Sequence, residues 1–260
     1  MKTLKLVLGY LRHNLMSGMA YRKAFFLQVF GMLLNDLLLL VFWVLLFRRF
    51  PTVNGWDLTG VITLYSIVAA GVGLGMAICG NSGRLAEIIA SGNLDYYLVL
   101  PADPLVHALV SASSIPSWGD LAFGLVIYAV AVPGSWRSLP LFLTLTVLTA
   151  VIYIAFSVIV ESLAFWIGQA QALAQQLQNA ILTFGLYPID IFPGAVRIVL
   201  YTLIPAAFLG SLPARLLRDF SWQGFAAVGG AAILTTALAR WVFYRGLRHY
   251  ESGNLVVTRG

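Results

Sequence analysis

Long uninterrupted apolar runs are the feature that most limits how this sequence can fold. Several runs reach about twenty residues, the length that an α-helix needs to cross the hydrocarbon core of a bilayer. Charged residues make up only 10% of the 260 residues, whereas a soluble domain carries about 25%. The runs also lack the alternation that is typical of a transmembrane β-barrel. The sequence therefore predicts an all-α, polytopic membrane protein.

The runs predict six transmembrane helices in a single domain, residues 1–260. The N-terminal stretch places Leu4, Val7 and Leu8 on one face, which predicts an amphipathic helix in the membrane interface. The predicted spans are 24–47, 58–80, 110–132, 139–162, 170–187 and 221–243. Grouped along the chain, the expected segments are 1–23 (interfacial helix), 24–80 (first two spans), 81–109 (cytoplasmic region), 110–187 (next three spans), 188–220 (outer hairpin), 221–243 (last span) and 244–260 (cytoplasmic tail).

The stretch 188–220 is too interrupted for a simple span. Pro193, Pro205 and Pro213 break it, and charged residues are scattered through it. Broken backbone at membrane depth is tolerated only against protein or a cavity, which favours a re-entrant or interfacial hairpin. A seventh span over residues 198–210 is the alternative, and it would move the C-terminus to the other side.

Basic residues indicate how the six spans are oriented. With both termini inside, ten of the 16 Lys and Arg residues lie inside and six lie outside. The positive-inside rule therefore favours cytoplasmic termini. The ten inner residues are Lys2, Lys5, Arg12, Arg22, Lys23, Arg84, Arg240, Arg245, Arg248 and Arg259.

The sequence contains no recognisable pattern for binding ATP or for catalysis. The P-loop pattern G-x-x-x-x-G-K-[ST] is absent, because none of the three lysines follows such a glycine pair. The three histidines are far apart, and the single cysteine, Cys79, can form neither an internal disulfide nor a Cys-based metal site. We expect no cofactor in this chain; if ATP drives the protein, another chain binds it.

An acidic residue near the middle of the first predicted span is the sharpest polar anomaly. Asp36 follows Asn35 inside the run MLLNDLLLL. A carboxylate at the bilayer centre costs roughly 2.5–3.5 kcal/mol on the insertion scale, so it should face protein or water. It could belong to a substrate path or cation site, or it could hydrogen-bond to a neighbouring helix.

The fifth predicted helix carries a row of amide side chains. Gln171, Gln175 and Gln178 recur at helical spacing and share one face. Neutral amides can line a wet path without a fixed charge preference. The alternatives are hydrogen bonds between helices or a solvated helix end.

Small residues in the second predicted span predict close helix packing. Gly71 and Gly75 lie one turn apart in the run AGVGLG. Such spacing lets two helix backbones approach closely. The partner helix could belong to the same chain or to a second copy.

The region after the second predicted span combines apolar residues with strong helix-stop signals. Leu85, Ile88 and Ile89 form an apolar stripe, and Gly92 suits the left-handed residue that ends a helix. The pattern predicts a short helix that stops near residue 92. The apolar stripe predicts either a docking surface or a helix that rests on the membrane.

A second short helix and a third helix start are predicted directly afterwards. Asp95 could cap a turn over residues 96–100, which Pro101 would end. Asp103 followed by Pro104 is typical of an N-cap with proline at the first helical position. A connection of about two dozen ordered residues is longer than two spans need.

Two short motifs in this sequence resemble those of one branch of the ABC-2-type transporter permeases. The segment SGNLDYYLVLPADPL is similar to the branch's G-x-L-D-x-x-L-x-x-P motif, and YESGN near the C-terminus is similar to its Y-x-S-G-N ending. The proline-broken stretch 187–214 resembles the outer segment that precedes the last helix. The first motif matches at Gly92, Leu94, Asp95, Leu98 and Pro101.

The resemblance implies an architecture and a set of partners. It implies an N-terminal interfacial helix, six spans, a cytoplasmic coupling helix and an outer re-entrant hairpin in the inner membrane of a prokaryote. It further implies a separate ABC ATPase, which binds ATP and Mg, and a second permease chain, identical or related. The expected function is export of an amphipathic, lipid-like or drug-like substrate.

The resemblance also suggests roles for the residues singled out above. Leu85, Ile88, Leu94 and Tyr96 are expected to dock on the ATPase, and Glu87 is expected to pair with a basic residue there. The full set expected to couple the ATPase is Leu85, Glu87, Ile88, Gly92, Leu94, Asp95, Tyr96 and Pro101. The set expected along the substrate path is Asn35, Asp36, Gln171, Gln175 and Gln178.

Two other functions are compatible with a polytopic chain of this kind. An intramembrane enzyme would need a convergent cluster of catalytic polar groups, and the sequence shows none. A membrane scaffold or sensor without transport would need neither an ATPase nor a path. ATP turnover that depends on this chain would separate transport from both.

Overall fold

The structure, a computed structural model, describes residues 2–250, with side chains from Leu4 onward. Of the Y-x-S-G-N motif, residues 251–254 lie outside the described residues. Across residues 2–250 the chain is a bundle of α-helices with short 3₁₀ turns and no β-strand. The α-helices are α1 Lys2–Ala20, α2 Arg22–Arg49, α3 Leu58–Ile78, α4 Leu85–Ala90, α5 Leu94–Leu98, α6 Pro104–Val110, α7 Ser117–Ala131, α8 Ser135–Glu161, α9 Ala164–Ile167, α10 Gln171–Gly185, α11 Gly194–Thr202, α12 Ser211–Arg218 and α13 Trp222–Leu247.

Four of the described helices are long and apolar enough to cross a membrane. They are α2, α3, α8 and α13, and they coincide with the first, second, fourth and last predicted spans. α7 and α10 have 15 residues each, or about 22 Å at 1.5 Å per residue, less than the roughly 30 Å of a hydrocarbon core. The structure confirms an all-α polytopic membrane protein, with shorter third and fifth helices than the hydropathy predicts.

The predicted start of the third span, near residue 110, is wrong by about two turns. α7 begins only at Ser117, because the connection before it bonds to the end of α3 instead of forming helix. The Ser113 hydroxyl donates to the carbonyl oxygen of Ala77 at 2.6 Å, and the Ser114 N–H donates to that of Met76 at 3.1 Å. These bonds satisfy polar groups without a helix, which hydropathy alone does not reveal.

α3 lies at the centre of the bundle, and glycines let its neighbours approach. A Cβ on Gly71 would lie 2.5 Å from the Thr149 side chain of α8, and one on Gly75 would lie 3.0 Å from Ile154. On the other side of α3, a Cβ on Gly124 of α7 would collide with α3 backbone. Of the two partners considered for the Gly71–Gly75 face, the structure shows a helix of the same chain.

The stretch that was predicted as a hairpin is bent. α11 and the segment Ala206–Arg218 meet at an angle of 70° across a break next to Pro205. Such a bend is compatible with a re-entrant loop and with a broken span. The outer hairpin over 188–220 therefore stays a prediction.

Long-range contacts define two ends of the bundle. At one end, hereafter the basal end, α1 meets α6 through Tyr10 and His107, whose side chains lie 3.2 Å apart. Arg240, near the C-terminal end of α13, donates to Asp103 at 2.9 Å. At the other end, hereafter the apical end, α12 approaches the start of α3 through Arg218. α4, α5 and α6 thus share the basal end with α1 and the end of α13.

Candidate functional site

The basal connection from α4 to α6 is ordered by the turn residues that the sequence indicates. Gly92 has a φ of +77°, so it supplies the predicted left-handed residue after α4. The Asp103 side chain accepts from the Val106 N–H at 3.2 Å, and Pro104 is at the start of α6. The predicted helix–stop–helix–stop order is confirmed.

The second short helix starts earlier than predicted. α5 runs Leu94–Leu98, and Asn93 precedes it without a side-chain capping bond. Asp95 therefore lies in the first turn of α5 and is not its N-cap, contrary to the prediction. A carboxylate in a first turn still interacts favourably with the helix dipole.

The apolar stripe of this region faces its own chain. Leu85, Ile88 and Leu94 are buried, in one apolar cluster with Val158 of α8 and Phe243 of α13. Side chains enclosed in this way cannot contact another protein without unpacking. The expectation that these three residues dock directly on a partner is therefore corrected. They pack α4 and α5 against α8 and α13.

The outward surface of the region is formed by other residues. Tyr96 is 63% exposed and Val99 is 82% exposed, with Leu98 between them at 39%. We call Tyr96, Leu98 and Val99 the exposed face. Apart from Tyr96, the docking residues inferred from sequence do not belong to it.

Glu87 points outward but has a partner within the chain. The Arg84 guanidinium donates to its carboxylate at 3.0 and 3.2 Å, and this hydrogen bond lowers the pKa of Glu87. Both side chains are largely in solvent, so the pair contributes little to stability. The same exposure leaves both charges accessible to another molecule.

Glu161, at the end of α8, connects three segments of the basal end. It is fully buried. One carboxylate oxygen accepts from the Ala86 N–H in the first turn of α4 at 2.7 Å. The other accepts from the Gln178 amide of α10 at 2.8 Å. Sequence reasoning missed this arrangement, and its one signal was an acidic residue at the end of an apolar run.

A polar cleft of about 500 Å³ opens beside this connection. Gln175, Gln178 and Asn179 line it from α10, and among the described residues of its lining Arg84 is the charged one. Opposite α10 it is closed by the 3₁₀ turn Gly80–Gly83 and the connection before α7. Two of the three predicted glutamines thus meet at a shared cavity, whereas Gln171 is exposed at the start of α10.

The acidic residue inside α2 does not belong to this cleft. Asp36 is buried and accepts from the Tyr65 hydroxyl of α3 at 2.8 Å. Asp120 of α7 also interacts with its carboxyl group. Of the two readings of Asp36, the structure favours the contact between helices. Neighbouring Asn35 is exposed on α2, and neither residue lines the glutamines' cavity.

A second carboxylate holds the apical end together. Asp190 accepts from the Trp56 indole N–H at 2.8 Å and pairs with Arg215 of α12. Arg197 of α11 donates to the carbonyl oxygen of Asp190 at 3.1 Å. Burial alone would raise the pKa of Asp190, but the hydrogen bonds from Arg215 and Trp56 outweigh it and the pKa is lowered.

Comparison with protein families identifies the chain. A family model described as ABC-2 family transporter protein matches residues 5–253. The chain belongs to this family. No curated protein matches it. Membership confirms the resemblance to the ABC-2 family, while the match to the motifs of one branch stays a prediction.

ABC-2 family membership gives the site its context. A transporter protein of this family is a membrane-spanning subunit, and ABC ATPase subunits are its partners. The cleft and the exposed face therefore lie on a transport subunit of several apolar helices.

Proposed function

We propose that this chain is the permease subunit of an ATP-driven exporter, and that a separate ATPase binds the ATP and Mg. The exposed face carries the proposal. It presents Tyr96, Leu98 and Val99 to solvent on a base that is buried against α8 and α13. Exposed apolar side chains on an ordered base are typical of an interaction site, and we assign this one to a protein partner.

The orientation of the basal end supports this role. Ten of the 16 basic residues lie inside when the termini are cytoplasmic, which is the arrangement of the positive-inside rule. α4 and α5 then face the cytoplasm, where ATP is available. In this orientation the exposed pair of Glu87 and Arg84 on α4 is also cytoplasmic and is accessible to charges on the ATPase.

The polar cleft is the proposed cytoplasmic part of the substrate path. Its amide and hydroxyl groups can bind hydrogen-bonding parts of an amphipathic, lipid-like or drug-like molecule. Asp36 is turned toward α3 and α7, so a preference for cationic substrates loses its support. The path proposal keeps Gln175 and Gln178 and no longer needs Asn35 or Asp36.

A second permease chain, identical or related, is proposed to complete the path. α2 supports this proposal, because only 11% of its most apolar 18-residue stretch is buried within one chain. Its apolar surface would face the second chain, lipid or both. The proposed location is a prokaryotic inner membrane with both termini in the cytoplasm.

A matched pair of substitutions tests the proposal. Val99 and Val130 are similarly exposed, at 82% and 79%. Val130, however, lies near the C-terminal end of α7, away from the basal end. Val99→Glu is expected to abolish co-purification of an ATPase and the ATP turnover that depends on the permease. Val130→Glu is expected to leave both intact. Unchanged ATPase binding in Val99→Glu would contradict the docking surface.

A further inference from the structure

The buried carboxylate of Glu161 is the polar group that the function described so far does not use. It has no exposed surface, and no ion pair within residues 2–250 includes it. Burying a carboxylate without a cation is costly unless hydrogen bonds compensate. The Ala86 N–H and the Gln178 amide supply them, one to each oxygen.

These two donors belong to segments with different roles. Ala86 is in the first turn of α4, which Gly92 joins to α5 and the exposed face. Gln178 is a buried side chain of α10 that also lines the polar cleft. Through these two hydrogen bonds, Glu161 links α4, which precedes the exposed face, to the α10 side chain that lines the cleft.

Close packing around the two hydrogen bonds of Glu161 restricts movement of α4 relative to α10. A Cβ on Gly83 would lie 3.1 Å from the Gln178 amide oxygen, so the turn before α4 packs closely on that amide. Leu85 and Ile89, which precede and follow Ala86 on α4, are buried in the basal apolar cluster. A displacement of α4 that kept both hydrogen bonds would have to carry α10 with it.

We propose that Glu161 is a positioning residue that makes α4 and α10 move as one body, so that a force applied at the exposed face reaches the cleft. The proposal rests on the proposed function, because the force comes from the ATPase. A rigid link of this kind requires both hydrogen bonds to persist in both states of the transporter, whereas the contact with the ATPase must differ between them.

The geometry provides a substitution that breaks the link and a conservative one at the same position. Glu161→Leu removes the acceptor of both donors, so both hydrogen bonds are lost. Glu161→Gln can keep both, because its amide oxygen accepts from Ala86 and its NH2 group donates to the oxygen of a turned Gln178 amide. Gln178→Leu breaks the α10 bond alone, and Gln176→Leu is its matched control, since Gln176 is exposed on α10 and does not line the cleft.

Distance measurement between α4 and α10 tests the link in the complex purified from native membrane. Spin labels would be placed on Ser91→Cys and Ala172→Cys, both exposed, after replacing Cys79 by alanine. With Glu161 intact, we expect one narrow distance that is the same without nucleotide and with trapped ATP. Glu161→Leu should broaden it or make it nucleotide-dependent while the ATPase stays bound.

The other variants decide between the outcomes. Glu161→Gln and Gln176→Leu should keep the single distance, and Gln178→Leu should not. The proposal is overturned if Glu161→Leu keeps the wild-type distance in both states, if Glu161→Gln changes it as much as Glu161→Leu does, or if Gln178→Leu and Gln176→Leu give the same distances. Absence of a bound ATPase in the wild-type complex would instead overturn the proposed function and the transmission role with it.

Discussion

Glu161 and Asp190 each fasten a peripheral segment to the helix bundle, at opposite ends and by opposite means. Glu161 is fully buried and is held by two neutral donors. Asp190 is about a quarter exposed and is held by the guanidinium of Arg215 and the indole of Trp56. The basal connection therefore depends on desolvated hydrogen bonds, whereas the apical one depends on charges that water can screen.

This difference predicts which end tolerates change. A buried donor that loses its acceptor keeps its full desolvation penalty, but an exposed ion pair contributes at most about 1 kcal/mol. The basal connection should thus be costly to break. The apical connection should be weaker and should respond to pH.

The largest effect is expected from Glu161→Leu. The substitution leaves the Ala86 N–H and the Gln178 amide without an acceptor. Each unsatisfied buried donor costs about 1–3 kcal/mol, so with two donors the free energy of unfolding should fall by about 2–6 kcal/mol. Denaturant unfolding in mixed micelles measures the change. Glu87→Leu, an exposed control on α4, should show no measurable loss, and equal losses in both variants would remove the contrast.

A smaller effect is expected from Asp190→Asn at the apical end. The amide can still accept from Trp56 but loses the ionic part of its contact with Arg215. Because the Arg215 side chain is 48% exposed, the free energy of unfolding should fall by about 1 kcal/mol or less. The same unfolding assay applies. A loss as large as that of Glu161→Leu would show that the apical connection is not the weaker one.

The pH dependence of this difference is the smallest expected effect. The folded-state pKa of Asp190 is lowered, so its stabilisation is present above the unfolded-state pKa of about 3.9 and is lost as the pH falls through the folded pKa. The stability difference between wild type and Asp190→Asn should be constant near neutral pH and shrink below about pH 4. A difference that grew on acidification would have the wrong sign.

Much of the helix layout could be predicted from the sequence because it depends on local patterns. The runs behind α2, α3, α8 and α13 identify spans by length and hydropathy, and Gly92 and Asp103 mark turns by backbone chemistry. The start of α7 could not be predicted in this way. It depends on hydrogen bonds from Ser113 and Ser114 to another helix.

The candidate site was harder to predict, since its residues acquire their roles from distant partners. An apolar stripe shows which side of α4 avoids water, but not whether its own chain or a partner covers it. The stripe and the resemblance together predict that Leu85 and Ile88 dock on a partner, whereas both are buried in the bundle. The Glu161 link joins residues 86, 161 and 178, which no sequence pattern connects.

Photo-crosslinking from Val99 tests the central claim most directly. A photoreactive amino acid would replace Val99, and separately the similarly exposed Val130, with irradiation in native membranes. We predict that Val99 forms an adduct with an ATPase of the ABC class and that Val130 does not. Adducts from Val99 with lipid alone, or ATPase adducts of equal yield from both positions, would contradict the account.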